Sequence, residues 1–475
     1  MSLTLKDYIQ QVEAWTLQPE AVVASYVTKA KEQNGKYNIY LSFADEYIKN
    51  NIKTLQWWDL KWAPIAVKDL ILTKWVTTTF GSKIAEKFIP PYSATCFEKL
   101  EQAGWCMIGK TNLDEFAMGW SNENSAYWPV INPYGINRVS GGSSGWSAAA
   151  VAADLCIAAL GTDTWWSVRQ PAFMCWIVWL KPTYGRVSRY GVQAMASSFD
   201  QVWVMTKTVY DAALMLQAIS WQDKHDATSI EKDDTKDWFQ ALQNTSLKWK
   251  KIWYCKQFFG EWIDPLIEKN TKYILEQAKN QWAEIIELDF PLLKYMVAVY
   301  YILVFAEVST NMSRFDGIRY WLQDDTSTFA SIKDYYSTIR DKWFGTEVKR
   351  RILMWSYVLS AWFYDAYYRK AQMVRAKMQQ NMNSLFDKVD VILWPTSPEL
   401  ARKIWERTND PLKNYLADIY TVPANIGWYP AMNVPTWFVE KDWEQFAVGI
   451  QLMAPHWRED VLFGIGWEIE KMILN

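Results

Sequence analysis

The chain has 475 residues, half of them apolar and 21% charged, which is enough apolar material to bury a large core. Its net charge of −2 gives no basic surface with which to grip nucleic acid, so any nucleic-acid role has to run through a partner. The opening MSLTLKDYIQ lacks a basic stretch followed by an apolar run, and so does not read as a secretory leader.

Residues 1–56 alternate amphipathic helical stretches with mixed charge, expected to pack on a main domain spanning 57–475. From Ala63 the texture changes. Short β-like runs at 64–67 and 106–108 alternate with helices expected over 95–103 and 147–153, the pattern of an α/β layered sheet. A helix over 210–220 leads into a polar excursion at 222–250, and long helices dominate from there to about Asp390. Within them the longest apolar run, 295–306, has 12 residues; it is too short to span a bilayer and reads as a buried helix. Strand-like segments at 389–393 and 447–452 follow. No repeat or linker divides the chain, which is expected to form one structural unit. The five scattered cysteines (Cys96, Cys106, Cys156, Cys175, Cys255) have no CxxC spacing and read as reduced core thiols of a cytoplasmic protein, with no metal site expected.

Two residue counts stand out. Glycine, at 19 residues, is about 4% of the chain against a usual level near 7%, while tryptophan reaches 31. Many tryptophans occupy positions where bulk has no use. Trp221 and Trp282 follow helix-like runs where a left-handed residue belongs, Trp57 and Trp58 lie in a connecting loop, Trp146 sits inside GGSSGWS, and Trp394 stands between an apolar run and Pro395. A UGA codon written as tryptophan but decoded as glycine produces this pattern, and it would lift glycine to 50 residues.

The chain has two histidines, His225 and His456. GGSSG at 141–145 matches the G-x-S-x-G nucleophile elbow, and His456 follows late enough to suit that order, yet the preceding NPYGINRV is loop-like rather than a buried strand, so the context argues against an α/β-hydrolase triad. The run also lacks the Gly-Lys-Ser/Thr ending of a phosphate loop. What remains is APIAVKD at 63–69, then GGSSGWS, then a second serine 24 residues after Ser143 in GTDTWWSVR.

With these three motifs in order, the chain resembles the amidase signature family. Read with glycine in place of tryptophan, it is similar to the A subunits of tRNA-dependent amidotransferases through DEFAMG (114–119), LKPTYGRVSRYG (180–191), ASSFDQV (196–202), RFDGIRY (314–320) and FYDAYY (363–368). The resemblance implies a large mixed β-sheet covered by helices on both faces. It assigns Ser167 as nucleophile, Ser143 as the bridging serine and Lys68 as the base. A serine needs a neighbour to take its proton, and a buried lysine held neutral can do so without histidine. Backbone N–H groups of Thr164, Trp165, Trp166 and Ser167 are the candidate oxyanion donors, a role for residues without bulk. For free glutamine, the resemblance places Arg351 on the α-carboxylate, with Arg350 its adjacent competitor, Asp418 on the α-amino group, and Tyr301 facing the site.

It further implies release of ammonia to a B subunit, which uses ATP and Mg²⁺ to activate Glu-tRNA(Gln) or Asp-tRNA(Asn). A small C subunit completes a heterotrimer, no cofactor sits in this chain, and tRNA is met only through the partner, away from any membrane. Two other readings stay open: a stand-alone amidase acting on small amides, and an inactive amidase-fold scaffold if Trp165 and Trp166 are literal and block the oxyanion site.

Overall fold

The computed structural model describes residues 2–51, 59–164, 167–260, 263–318, 329–358, 364–406 and 419–474. Eleven strands make one mixed sheet: β1 (Tyr40–Phe43), β2 (Pro64–Lys68), β3 (Cys106–Thr111), β4 (Ala158–Asp163), β5 (Val178–Lys181), β6 (Gln201–Thr206), β7 (Lys251–Cys255), β8 (Glu284–Leu288), β9 (Val391–Pro395), β10 (Ala431–Lys441) and β11 (Glu444–Met453). They lie in the order β1-β3-β2-β4-β6-β5-β10-β11-β9-β7-β8. β2 runs parallel to both β3 and β4, and β7 runs parallel to β8 and β9; the remaining pairs are antiparallel.

The centre of the sheet follows from composition. PIAVK, CMIGKT and AALGTD are buried along their whole length, as continuous apolar runs must be when helices cover a parallel sheet. The pairing of Val67 with Leu160 brings the carboxyl ends of β2 and β4 together, and those ends are Lys68 and Asp163. In open α/β sheets this is where a crevice forms.

Elsewhere the structure refines the sequence expectations. The N-terminal segment is not wholly helical: after the helices Leu5–Glu13 and Pro19–Tyr37 it supplies edge strand β1, paired with β3. Leu5, Tyr8 and Val12 form the buried stripe of the first helix, whose leading N–H groups at Leu5 and Lys6 donate to Asp211. The polar stretch 222–250 is no mere excursion, because its helix Thr235–Asn244 buries Trp238 and Leu242. The apolar run 295–306 belongs to a longer helix, Leu293–Met312. This is the one helix among the described residues long and apolar enough to cross a membrane, and half of its most apolar window is buried inside the molecule.

The tryptophans carry a distinctive backbone. Among the described residues, nineteen non-glycine positions have positive φ, and ten of them are tryptophan. Trp282, after the helix Pro265–Asn280, has φ +67°, as its position suggests. β10 and β11 are joined by Asp442 and Trp443 with φ +52° and +65°, a two-residue turn whose preferred pair is Asp-Gly. Trp221 does not show positive φ, while Trp146 and Trp394 are buried in the helix Gly145–Ala152 and in β9. Trp57 and Trp58 lie outside the described residues. Seven buried indole N–H groups, those of Trp62, Trp105, Trp146, Trp179, Trp203, Trp238 and Trp343, find no acceptor, which is unusual for so polar a tip.

A non-glycine residue in the left-handed region is strained by about 1–2 kcal/mol. Trp282→Gly and Trp443→Gly are therefore each expected to raise stability by about 1 kcal/mol in chemical denaturation, and a loss of stability would contradict the strain argument. The recoding reading makes a separate prediction: peptide mass mapping of the natively produced protein across 139–169 should give glycine masses at 146, 165 and 166. Tryptophan masses there would refute it.

Candidate active site

Lys68 is the last residue of β2 and its side chain is fully buried. Its Nζ lies 2.8 Å from Ser143 Oγ, 2.7 Å from Ser144 Oγ and 3.2 Å from the Thr162 carbonyl oxygen. Burial pushes the lysine down to about 7, against the opposing pull of Asp114, Asp163 and Asp200. If the amine is neutral, the hydrogen bonds offer one arrangement for its lone pair. Ser144 Oγ donates to Thr162 O at 3.0 Å, so its only proton is committed and it must accept from Lys68. A neutral lysine then gives one N–H to Ser144 and the other to Thr162 O, leaving its lone pair for the Ser143 hydroxyl proton.

Ser144 is not singled out by the sequence, although it stands beside Ser143 in the same glycine-rich run. Its backbone N–H also donates to Ser167 O at 2.8 Å, which holds the two serine loops edge to edge. Close approach explains the glycines: at Gly141 (φ +76°) a Cβ would fall 2.7 Å from Pro171 N, just beyond Ser167.

Ser167 and Thr164 are both 3% exposed; Trp165 and Trp166 lie outside the described residues. Thr164 is held on three sides. Its Oγ1 donates to Asp200 Oδ1 at 2.5 Å, while its carbonyl accepts from Tyr300 Oη and from Asn425 Nδ2, each at 3.0 Å. Burial raises Asp200 to about 7 despite that bond. Behind the loop, Asn425 also donates to Asp163 at 2.8 Å, and Arg169 lies 3.6 Å from the same carboxylate while donating to Thr421 O and Asn425 Oδ1. Sequence reasoning misses Tyr300, Asn425 and Asp200. Only Asp200 falls inside a motif, ASSFDQV, and nothing in a sequence says which side chains converge from separate elements.

The hydroxyl contact to the Thr164 carbonyl comes from Tyr300, next to Tyr301 in the helix. The Tyr301 ring packs against Tyr300 at 5.9 Å and Phe305 at 5.0 Å. Phe305 in turn lies 5.5 Å from the Arg351 guanidinium, so an aromatic chain links Arg351 to the loop at Thr164. Arg351 is 1% exposed and its Nε donates to Glu347 Oε1 at 2.8 Å. Arg350 bonds the other oxygen of Glu347 but is 36% exposed, at the edge of a cavity of about 410 Å³. Burial and placement thus separate the two arginines. Asp418 lies outside the described residues.

Neither histidine competes for the serines. His456 stacks on Tyr429 and bonds Gly427 O at 2.7 Å, and His225 stacks on Tyr190. Among the described residues no three His, Cys, Asp or Glu side chains gather as metal ligands.

The Amidase family model matches residues 21–463. The A subunit of glutamyl-tRNA(Gln) amidotransferase from Caldanaerobacter subterraneus is 42% identical over 99% of this chain and 96% of its own length. Its counterpart from Microcystis aeruginosa is 46% identical over 86% of this chain and 83% of its own. The crystal structure of the glutamyl-tRNA(Gln) amidotransferase A subunit from Thermotoga maritima superposes with a TM-score of 0.82 at 34% identity, covering 99% of this chain and 94% of that one. The structure of 6-aminohexanoate cyclic dimer hydrolase, at 19% identity and a TM-score of 0.83, bears on the fold alone. The chain belongs to the amidase signature family.

Proposed function

We propose that the chain is the glutamine-hydrolysing A subunit of a tRNA-dependent amidotransferase, acting through an acyl-Ser167 intermediate. The observation that carries this reading is a fully buried lysine whose Nζ lies 2.8 Å from Ser143 Oγ, with a second hydroxyl and a carbonyl as its other partners among the described residues. Lys68 takes the Ser143 proton as Ser143 takes that of Ser167, and Ser167 Oγ bonds to the side-chain amide carbon of glutamine. The oxyanion rests on backbone N–H groups of residues 164–167. On collapse the C–N bond breaks and the proton returns through Ser143 to the leaving nitrogen, which departs as ammonia. Water then attacks the acyl-enzyme by the same relay and glutamate leaves. Arg351 binds the α-carboxylate and Asp418 the α-amino group, with Tyr301 lining the site.

The ammonia passes to a B subunit, which with ATP and Mg²⁺ converts Glu-tRNA(Gln) to Gln-tRNA(Gln) in the cytoplasm, while a C subunit completes the heterotrimer. The relatives' names support this assignment. The acidic balance of the chain fits a protein that leaves tRNA to its partner.

The base must be neutral to act, so activity is lost as pH falls through the lysine's value. For glutamine hydrolysis, kcat/KM is expected to rise with pH through a limb near 7, and Lys68→Ala should remove that limb and lower kcat by ~10³-fold. A limb that survives in Lys68→Ala assigns the base elsewhere. Arg351→Ala is expected to raise the glutamine KM by ~10- to 100-fold with kcat changed far less, the loss of a charge-assisted bond to a carboxylate. An unchanged KM removes Arg351 from the site.

A further inference from the structure

No step of the chemistry above is assigned to the DEFAMG run, yet it opens with two adjacent carboxylates that are almost completely buried, Asp114 at 0% and Glu115 at 2% exposure. They reach in different directions. Asp114 accepts the backbone N–H of Asn124 at 2.8 Å and of Asn122 at 3.2 Å. It lies so close beneath Gly142 that a Cβ there would stand 2.1 Å from its Oδ2, and Gly142 is the residue before Ser143.

Glu115 turns the other way. Its Oε1 accepts from Ser82 Oγ at 2.5 Å, and its Oε2 accepts the backbone N–H of Gly345 at 2.7 Å. Gly345 immediately precedes the helix Thr346–Val358, whose first intrahelical bond runs from Lys349 N to Gly345 O at 3.1 Å. That helix carries Glu347, Arg350 and Arg351. A Cβ on Gly345 would come 2.5 Å from Glu115 Oε2, so a side chain at this joint would have to displace that carboxylate. The next residue of the run reinforces it: the Phe116 ring meets Phe344 edge-on at 5.8 Å and Phe315 at 4.7 Å.

A carboxylate at a helix N-terminus is favoured by the aligned backbone dipoles, although burial pushes Glu115 up to about 7. Arg351 stands less than two turns along the helix from this anchor, so a shift at Gly345 is carried to the guanidinium with little damping.

We propose that Glu115 is a positioning residue for recognition of the substrate α-carboxylate: it fixes the start of helix Thr346–Val358, and through it the Glu347–Arg351 pair, relative to the Ser143 loop braced by its neighbour Asp114. One dipeptide thereby sets the spacing between the half of the site that holds glutamine and the half that activates the nucleophile. This inference rests on the glutaminase reading.

The test is kinetic, on the full-length protein. Glu115→Gln keeps the shape of the side chain but presents an NH₂ to one of its two donors. The expected result is a glutamine KM raised ~10-fold, kcat within about twofold, and an unchanged rate of Ser167 labelling by a small fluorophosphonate that does not need Arg351. In the Arg351→Ala background, Glu115→Gln should add no further rise in KM, since it acts only through the arginine. Should Glu115→Gln fail to fold, Gly345→Ala, which crowds the same carboxylate, is read in the same way. An unchanged KM, a loss of labelling together with kcat, or two KM effects that multiply each overturn the proposal. A wild-type protein that labels but hydrolyses no glutamine overturns the glutaminase reading and this inference with it. One that hydrolyses glutamine while Glu115→Gln leaves KM unchanged overturns this inference alone.

Discussion

Everything in the site depends on removing the Lys68 amine from water. An exposed lysine stays charged at neutral pH and has no lone pair to offer, so the fold must bury it without pairing it directly to a carboxylate. The structure meets both demands by placing Lys68 at the end of a central parallel strand and surrounding Nζ with two hydroxyls and a carbonyl. The neighbouring residue shows the contrast. Asp69 and Lys110 are equally buried, but there Nζ lies 3.2 Å from the carboxylate and is further bonded to Ile71 O, Thr73 and Thr78. That lysine is held by a carboxylate as well as by three other oxygens, whereas Lys68 has no carboxylate partner among the described residues.

The same requirement explains why the chain approaches itself so closely around the serines. Two segments from different parts of the sequence, one carrying Ser143 and Ser144 and the other Ser167, must meet backbone to backbone, as the bond from Ser144 N to Ser167 O shows. Bulk in either segment works against that contact. Trp146 at the start of its helix is completely buried with its indole N–H unpaired, the kind of local conflict between side chain and fold that a selected sequence avoids. The positive-φ tryptophans repeat the conflict across the molecule, in helix ends and hairpin turns far from the site.

Much of this is legible in the sequence. The alternation of buried strands with helices from Ala63 points to the fold class, and three spaced motifs single out Lys68, Ser143 and Ser167 because their residue types make chemical sense only together. What stays hidden is of two kinds. Helix Thr235–Asn244 looks like part of a polar loop, since most of its residues are hydrophilic and its two buried anchors, Trp238 and Leu242, are diluted by the rest. Ser144, Tyr300 and Asn425 are hidden because each is ordinary in its own segment and gains its role from what another segment brings within 3 Å.

The electrostatics of the pocket follow from the same exclusion of water. Asp114, Asp163 and Asp200 are all buried near Lys68 and all favour its charged form, yet burial raises each of their own values, to about 6 for Asp114 and about 7 for Asp200. A proton taken up by any of the three weakens the pull on Lys68 and favours the free amine; an ionised carboxylate does the reverse. Lysine and carboxylates therefore titrate as a linked set, and the effective value of the lysine belongs to the cluster rather than to Lys68 by itself. Asp200 connects this set to the loop at Thr164, because the same carboxylate accepts from Thr164 Oγ1 and from the backbone N–H groups of Met195 and Ala196. All three of those donors favour an ionised Asp200, so tightening the loop around Thr164 raises the charge facing Lys68. One buried carboxylate thus couples the hold on the Thr164 loop to the charge facing Lys68.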